Sequence, residues 1–270
     1  MHEQPAYMSL LGWRCEEECR YGCMWRTVEE IQLSDPRGEI PQFYGKWPFV
    51  RVLGIQEPAS VLFSILNGLG HVVMIGVFRK RVPSHAKMYS VVHWLAAVSI
   101  NAWFWSAVFH ARDFSWTEKM DYFCATSLVV FQLFMFFTRS RFNGFEESAI
   151  FGTLLAVLFS THVFYMAFVK FDYGYNMVAN VTVGQLNAFC WLGFAFTNVQ
   201  QRRYMWKIIA TILSINCLLL LELGDFPPIW WTFDAHSLWH AGTVPVVPLC
   251  YSFFIDESLY LLREAEDTAV

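Results

Sequence analysis

Charged residues are scarce in this chain. Asp, Glu, Lys and Arg make up 16% of its 270 residues, whereas about a quarter of the residues in a soluble globular domain are charged. So few charges cannot cover the surface of a water-soluble globule with polar groups. No basic tract of the kind that binds nucleic acid is present, and the net charge of −4 points to no class of partner. Since 56% of the residues are apolar and 18% aromatic, the composition favours a protein that lies in a lipid bilayer.

A secretory signal does not precede the first cysteines. Residues 1–4 form no basic region, and no apolar run follows them. Cys15, Cys19 and Cys23 crowd the polar N-terminal segment, which predicts an oxidising compartment with one cysteine left over. Either the first membrane helix is the targeting signal or an upstream segment is missing. We favour a missing segment, because the odd cysteine needs a partner.

Seven long apolar stretches follow a polar segment over residues 1–55. Each is close to the ~20 residues that an α-helix needs to cross a hydrocarbon core of ~30 Å. Short polar loops separate them, which predicts an all-α bundle of seven transmembrane helices over 56–256 and a short acidic tail over 257–270. The stretches cover residues 57–78, 88–110, 120–138, 148–169, 174–198, 205–224 and 234–255.

The basic residues predict how this bundle is oriented. Cytoplasmic loops carry an excess of Lys and Arg. Six of the 19 basic residues lie in the N-terminal segment; of the other thirteen, ten fall on one side of the bundle and three on the other. The bias predicts a luminal N-terminus and a cytosolic C-terminus. The ten are Arg79, Lys80, Arg81, Lys87, Arg139, Arg141, Arg202, Arg203, Lys207 and Arg263, and the three are Arg112, Lys119 and Lys170.

Two histidines begin the last apolar stretch. His236 and His240 are four residues apart, so both imidazoles share one face of a helix. This spacing is a common way for a helix to give a metal two nitrogen ligands. Such pairs also arise without a metal, and a structural origin is the alternative interpretation.

A second group of polar residues lies around the loop after the second stretch. Ser106 and His110 are one helical turn apart, and Asp121 follows eleven residues later. Each residue also has a purely structural interpretation. Ser106 could donate to a backbone carbonyl, His110 could be an interfacial residue, and Asp121 could be an N-terminal helix cap. The single histidine His162, in the fourth stretch, is interpreted as a packing or substrate-contacting residue.

Topology places these five residues in one layer. The second helix ends on the luminal side and the third and seventh begin there, with Ser106 about 6 Å deeper than His110. If the helices adjoin, His110, His236 and His240 supply the protein ligands of a catalytic zinc, which activates water. Asp121 could then transfer a proton and Ser106 could orient the water or the oxyanion. A serine nucleophile is the rival, but Gly-x-Ser-x-Gly does not surround Ser106.

This pattern resembles the CREST superfamily of seven-helix membrane hydrolases. Further stretches resemble, more closely, the post-GPI-attachment factors of that superfamily, which remodel the lipid of glycosylphosphatidylinositol (GPI) anchors. The resemblance implies zinc at His110, His236 and His240 and catalytic roles for Ser106 and Asp121. The stretches that carry the closer resemblance are 7–10, 23–25, 42–49, 56–60, 101–106, 118–124, 171–176, 221–222, 225–228 and 258–262.

The resemblance also implies an activity and a location. The expected reaction removes the unsaturated sn-2 acyl chain from the phosphatidylinositol of GPI-anchored proteins, in the Golgi membrane or, alternatively, the endoplasmic reticulum membrane. A monomer with GPI-anchored proteins as partners is expected. The family has a signal peptide and further cysteines at its front that this chain lacks. The pairing of Cys15, Cys19 and Cys23 is therefore open, with disulfides as the prediction and a zinc site as the alternative.

Two other functions remain open from the sequence. A ceramidase-like amidase would use the same residues on a different bond, because activated water can attack either carbonyl. A non-catalytic receptor or escort for GPI-anchored proteins belongs to another class and would not need Asp121. Long cytosolic loops, which many receptors have, are missing here and count against a receptor.

Overall fold

The computed structural model describes residues 5–35, 38–140 and 144–268, and this part of the chain is almost entirely helical. Arg141, one of the ten basic residues counted above, lies outside the described residues. Residues 1–4, on which the prediction about a secretory signal rests, also lie outside the described residues. The same is true of the last two residues of the predicted acidic tail. The helices are α1 (Ala6–Leu10), α2 (Cys15–Ser34), α3 (Pro58–Arg81), α4 (Tyr89–Ala111), α5 (Ser115–Ser140), α6 (Phe145–Phe164), α7 (Tyr173–Asn198), α8 (Met205–Gly224), α9 (Ala235–Thr243) and α10 (Val246–Asp267).

Six helical segments of the described chain are long and apolar enough to cross a membrane. They are α3, α4, α5, α6 with the π-helical turn Tyr165–Val169 that follows it, α8, and α9 together with α10. Helix α7 has 26 residues and occupies the remaining predicted stretch, but it is not among these six. The prediction of an all-helical, multi-pass membrane protein is thereby confirmed. The count of seven spans, like the orientation of the termini, stays a prediction.

The last predicted helix is two helices in the structure. Helix α9 ends at Thr243, and α10 begins one residue after Pro245. Proline has no amide hydrogen to donate to the preceding turn, so a break at this position is expected. Helix α10 then continues through the start of the predicted acidic tail to Asp267, because Glu257 and Leu261 still face the interior of the bundle.

A buried ionic cluster joins three elements at one end of the bundle. Glu257 of α10 is fully buried and accepts hydrogen bonds from Arg139 of α5, from Arg202 at 2.8 Å and from the Tyr204 hydroxyl at 2.7 Å. The Arg139 guanidinium also stacks on Phe194 of α7 at 3.9 Å. One carboxylate therefore neutralises charges that reach it from α5 and from the segment between α7 and α8.

The N-terminal segment packs on the opposite end of the bundle. The backbone amide of Val50 donates to the carbonyl of Trp231 at 2.9 Å, and that of Gln56 donates to Ala111 at 3.0 Å. The guanidiniums of Arg51 and Arg112 both stack on the Trp13 ring, at 3.3 and 3.7 Å. These contacts hold the N-terminal segment against the end of α4 and against the residues between α8 and α9. Along α2, Cys15, Cys19 and Cys23 are exposed and free, one turn apart on a single face.

Candidate metal centre

Three histidines from two helices meet below the N-terminal segment. His110 lies in the last turn of α4, and His236 and His240 lie on one face of α9. One ring nitrogen of each lies within 4.8 Å of the corresponding nitrogens of the other two. The Nε2 atoms of His110 and His236 are 3.2 Å apart. The pair on α9 and the single histidine on α4, which the sequence linked only through topology, are therefore neighbours.

Local interactions fix where α9 begins and how closely it packs. The Asp234 carboxylate accepts a hydrogen bond from the Ser237 amide at 2.9 Å and so caps the helix. At Gly242, a Cβ atom would lie 2.1 Å from a methyl group of Leu218, so a larger residue there would require the Leu218 side chain to move. The cap thus fixes the start of α9, and the glycine lets α9 pack closely on α8 next to His240.

Each histidine has an acceptor at its other ring nitrogen. Nδ1 of His110 is 2.6 Å from Oε2 of Glu57, and Nδ1 of His236 is 2.5 Å from Oε2 of Glu222. Nδ1 of His240 faces the Ser64 hydroxyl at 3.0 Å. Ionised carboxylates only accept, so the Nδ1 atoms facing them carry the protons. This arrangement of a carboxylate behind a histidine is typical of metal ligands, because it fixes the ring and makes the other nitrogen more basic.

The remaining nitrogens form a site that suits a cation. With the proton on Nδ1, each neutral imidazole turns a lone pair on Nε2 towards its neighbours. Two lone pairs 3.2 Å apart repel unless a shared proton or a metal ion lies beside them. Nitrogens bound to one tetrahedral zinc at ~2.0–2.1 Å are about 3.3 Å apart. The distance between His110 and His236 matches this spacing, and the three histidines, with ring nitrogens within 4.8 Å of one another, supply the donor set of a three-histidine zinc site.

Ser106 is connected to the cluster through another serine. The hydroxyls of Ser64 and Ser106 are 3.0 Å apart, and Ser64 also contacts Nδ1 of His240. If His240 donates to Ser64, then Ser64 donates to Ser106, and the Ser106 hydrogen is free for another acceptor. Ser106 thus forms a hydrogen bond with the Ser64 side chain. The alternative interpretation, in which Ser106 bonds to a backbone carbonyl, is wrong.

Asp121 lies near the three histidines but is not among the residues that hydrogen-bond to them. It is half-buried in the second turn of α5, and its charge interacts with His110 and His236. It makes no side-chain hydrogen bond with the residues that the structure describes. Because α5 begins at Ser115, the interpretation of Asp121 as a helix cap is wrong. The His110 side chain is buried within the bundle.

Lys46 links the cluster to the N-terminal segment. Its Nζ lies 2.6 Å from Oε1 of Glu57 and 3.0 Å from Oδ2 of Asp113. Burial by itself lowers the pKa of Lys46, but the two carboxylates beside it outweigh burial and raise that pKa above its ordinary value. Lys46 therefore stays charged and holds Glu57 in place behind His110.

Sequence reasoning missed Glu57, Glu222, Ser64 and Lys46. Each belongs to a different element from the histidine it supports, and 53 residues separate Glu57 from His110 along the chain. The sequence did contain one signal. An unpaired carboxyl group in or next to an apolar run has an unfavourable free energy, so such a group is expected to have a partner. Glu57 and Glu222 both lie at the ends of apolar stretches and met that criterion. His162, by contrast, is buried elsewhere and stacks on Tyr175.

The chain is similar to known proteins along almost its whole length. Residues 5–258 match the Per1-like family. A Xenopus tropicalis protein named "GPI-specific phospholipase A2-like PGAP3" is 47% identical over 98% of this chain and 84% of its own length. The Homo sapiens protein of that name is 46% identical over 98% and 82%, and a Drosophila melanogaster "Post-GPI attachment to proteins factor 3" is 39% identical over 93% and 76%.

No solved structure matches the chain. The relatives bear out the resemblance to post-GPI-attachment factors that the sequence motifs indicated, and they cover almost all of the described residues. This chain belongs to the Per1-like family.

Proposed function

We propose that this protein is a zinc-dependent acyl hydrolase that removes the sn-2 fatty acid from the phosphatidylinositol of GPI anchors. The observation that carries the proposal is the convergence of three histidines whose outer nitrogens are all occupied by Glu57, Glu222 and Ser64. The names of the relatives, which refer to a GPI-specific phospholipase A2-like protein, supply the substrate and the bond.

The proposed chemistry divides between the metal and the side chains around it. Zinc held by His110, His236 and His240 would supply a fixed positive charge that activates water at neutral pH and polarises an ester carbonyl. Asp121 is the group that accepts a proton from water and returns it to the departing glycerol oxygen. The Ser106 hydroxyl, oriented by Ser64, donates to the oxygen on which negative charge develops.

The depth of the cluster suits an ester of a membrane lipid. His110 lies in the last turn of α4 and His236 in the first turn of α9, with a rise of about 1.5 Å per residue separating them from the helix ends. The acyl esters of a phospholipid lie at the boundary between headgroups and hydrocarbon. We propose that this end of the bundle faces the lumen of the Golgi, as the basic residues of the other end favour.

Replacing Asp121 by asparagine tests the reaction. In nanodiscs that contain a diacyl GPI lipid, the wild-type chain is expected to release the sn-2 fatty acid, measured by mass spectrometry with the lyso-lipid. Asp121→Asn keeps the size of the side chain but cannot take a proton, so the rate is expected to fall by about 10²–10⁴. The exposed Asp267→Asn is the matched control and keeps the wild-type rate.

Two results would contradict the proposal. Wild-type rates in Asp121→Asn would remove the proton-transfer role. A wild-type chain that releases no fatty acid, together with unchanged export of GPI-anchored proteins in cells that carry Asp121→Asn, is what a non-catalytic escort predicts. Cleavage of ceramide in preference to the GPI ester would make the protein an amidase with the same site.

A further inference from the structure

A cavity lined by Lys46 lies near the candidate metal centre. It has a volume of about 330 Å³ and lies between α2, residues 43–56 and the residues that follow α4. This volume is within the range of about 300–1,000 Å³ that is usual for small-molecule sites. We call it the N-terminal cavity. A larger cavity of about 620 Å³ lies between α1, the first turns of α2 and Phe114, but Lys46 does not line it.

The N-terminal cavity is connected to the histidines through two side chains. Lys46 lines the cavity, and its Nζ lies 2.6 Å from Glu57. The other oxygen of Glu57 lies 2.6 Å from Nδ1 of His110. A lipid whose ester reaches the histidine cluster would therefore have its headgroup in or beside this cavity, because the headgroup is attached only a few bonds away.

The lining combines aromatic rings with charged groups that are already paired. Arg51 pairs with Glu18 at 2.5 Å, and Arg112 pairs with Glu17. Since the cations are neutralised, the cavity suits a ligand with many hydroxyls better than a free anion. Sugar rings meet both needs: their C–H faces pack on aromatic rings, and their hydroxyls bond to carboxylates and guanidiniums. The aromatic residues of the lining are Trp13, Tyr21, Phe43, Tyr44, Trp47 and Phe49.

One aromatic ring is held there at a conformational cost. Tyr44 has a φ of 53° and Gly45 a φ of 80°, in a tight turn closed by the bridge between Phe43 and Lys46. Glycine or asparagine normally occupies the first of these positions, because a bulky side chain is strained at positive φ. The Tyr44 ring is nonetheless 80% exposed at the rim of the cavity, with Arg20 stacked on it at 5.3 Å.

We propose that the N-terminal cavity binds the glycan headgroup of the GPI lipid, with Tyr44 as an aromatic platform for a sugar ring. The proposal rests on the proposed function, because that function supplies a glycolipid substrate. It explains how a site that hydrolyses an ester could choose GPI lipids over other phospholipids. Specificity would come from a contact with the headgroup, at a place that Lys46 and Glu57 separate from the histidines.

The chain offers a matched control for the test. Leu53 also has a positive φ of 52°, is followed by Gly54 with a φ of 79°, and forms the tip of a tight turn closed by Val52 and Ile55. Its side chain is 71% exposed, and it does not line the cavity. Tyr44→Gly and Leu53→Gly thus remove an exposed side chain from the same kind of turn. Both relieve the strain of a positive φ, so both variants are expected to be at least as stable as the wild type.

The experiment measures binding without turnover. The purified full chain is titrated calorimetrically with a synthetic acyl-free mannosyl-glucosaminyl-inositol phosphate, and separately with the C-terminal peptide of a GPI-anchored protein. The wild type and Leu53→Gly are expected to bind the glycan with equal affinity, and Tyr44→Gly is expected to bind it about tenfold more weakly. A thermal unfolding midpoint for each variant separates a binding effect from a folding effect.

The outcomes distinguish this proposal from the proposed function. Equal glycan affinity in Tyr44→Gly and Leu53→Gly, or binding of the peptide and not of the glycan, overturns the headgroup site even if the protein hydrolyses GPI lipid. A wild type that binds the glycan and loses this binding in Tyr44→Gly supports the headgroup site even if it releases no fatty acid, and in that case only the hydrolase proposal fails.

Discussion

The His240→Ala variant is expected to lose both its bound metal and the hydrolysis of GPI lipid. His240 is buried and supplies one of the three candidate ligand nitrogens, and alanine has no atom that can bind a metal. A metal ion contributes several kcal/mol to the stabilisation of charge in the transition state. Because ~1.4 kcal/mol corresponds to a factor of ten, the rate of fatty-acid release is expected to fall by about a thousandfold or more.

A graded comparison makes this expectation specific. Glu222→Ala removes the acceptor behind His236 and leaves all three candidate ligands, so metal affinity is expected to fall by only about 10- to 100-fold. His85→Ala, in an exposed loop outside the site, is the control and keeps the wild-type affinity and rate. Zinc affinity is read by competition with a chelator. Equal loss in His240→Ala and His85→Ala, or none in either, would contradict the account.

The Glu257→Gln variant is expected to be strongly destabilised without any direct effect on the histidines. Glu257 is fully buried and is the shared acceptor of Arg139, Arg202 and Tyr204. Removing its charge leaves two arginines in a buried position with no carboxylate between them. Breaking a buried pair on one side costs about 3–5 kcal/mol, a large part of the stability of a typical fold.

The neighbouring acid provides the control for this stability measurement. Asp256 pairs with Lys207 at 2.5 Å, but its side chain is partly exposed. A pair that solvent reaches contributes about 1 kcal/mol or less, so Asp256→Asn is expected to change the unfolding midpoint only slightly. The midpoint is measured by heating the detergent-solubilised protein and following the folded fraction. A Glu257→Gln midpoint equal to that of Asp256→Asn would show that the ionic cluster does not stabilise the bundle.

Much of the helical layout could be predicted from the sequence. Apolar runs of about twenty residues predict membrane helices because the bilayer sets their length, and α3, α4 and α8 begin and end within a few residues of the predicted stretches. The start of α5 was placed five residues too late, since the amphipathic turn from Ser115 to Lys119 is not apolar. The break at Pro245 lay inside an apolar run and was overlooked for that reason.

The candidate site was predictable only in part. His236 and His240 share a helical face, which spacing alone predicts, and topology brought His110 to the same layer. The groups behind them could not be predicted, because Glu57 and Glu222 reach the histidines through tertiary packing and not through any fixed spacing in sequence. The same is true of Ser64, which meets His240 across 176 residues of chain.

The most direct test of the central claim is the metal dependence of fatty-acid release. Wild-type protein is purified, its zinc is counted by elemental mass spectrometry, and release of the sn-2 fatty acid from a GPI lipid is measured before chelation, after chelation and after zinc is returned. We expect about one zinc per chain, loss of activity in the stripped protein and recovery with zinc. Undiminished release of the sn-2 fatty acid by protein that contains no metal would contradict it.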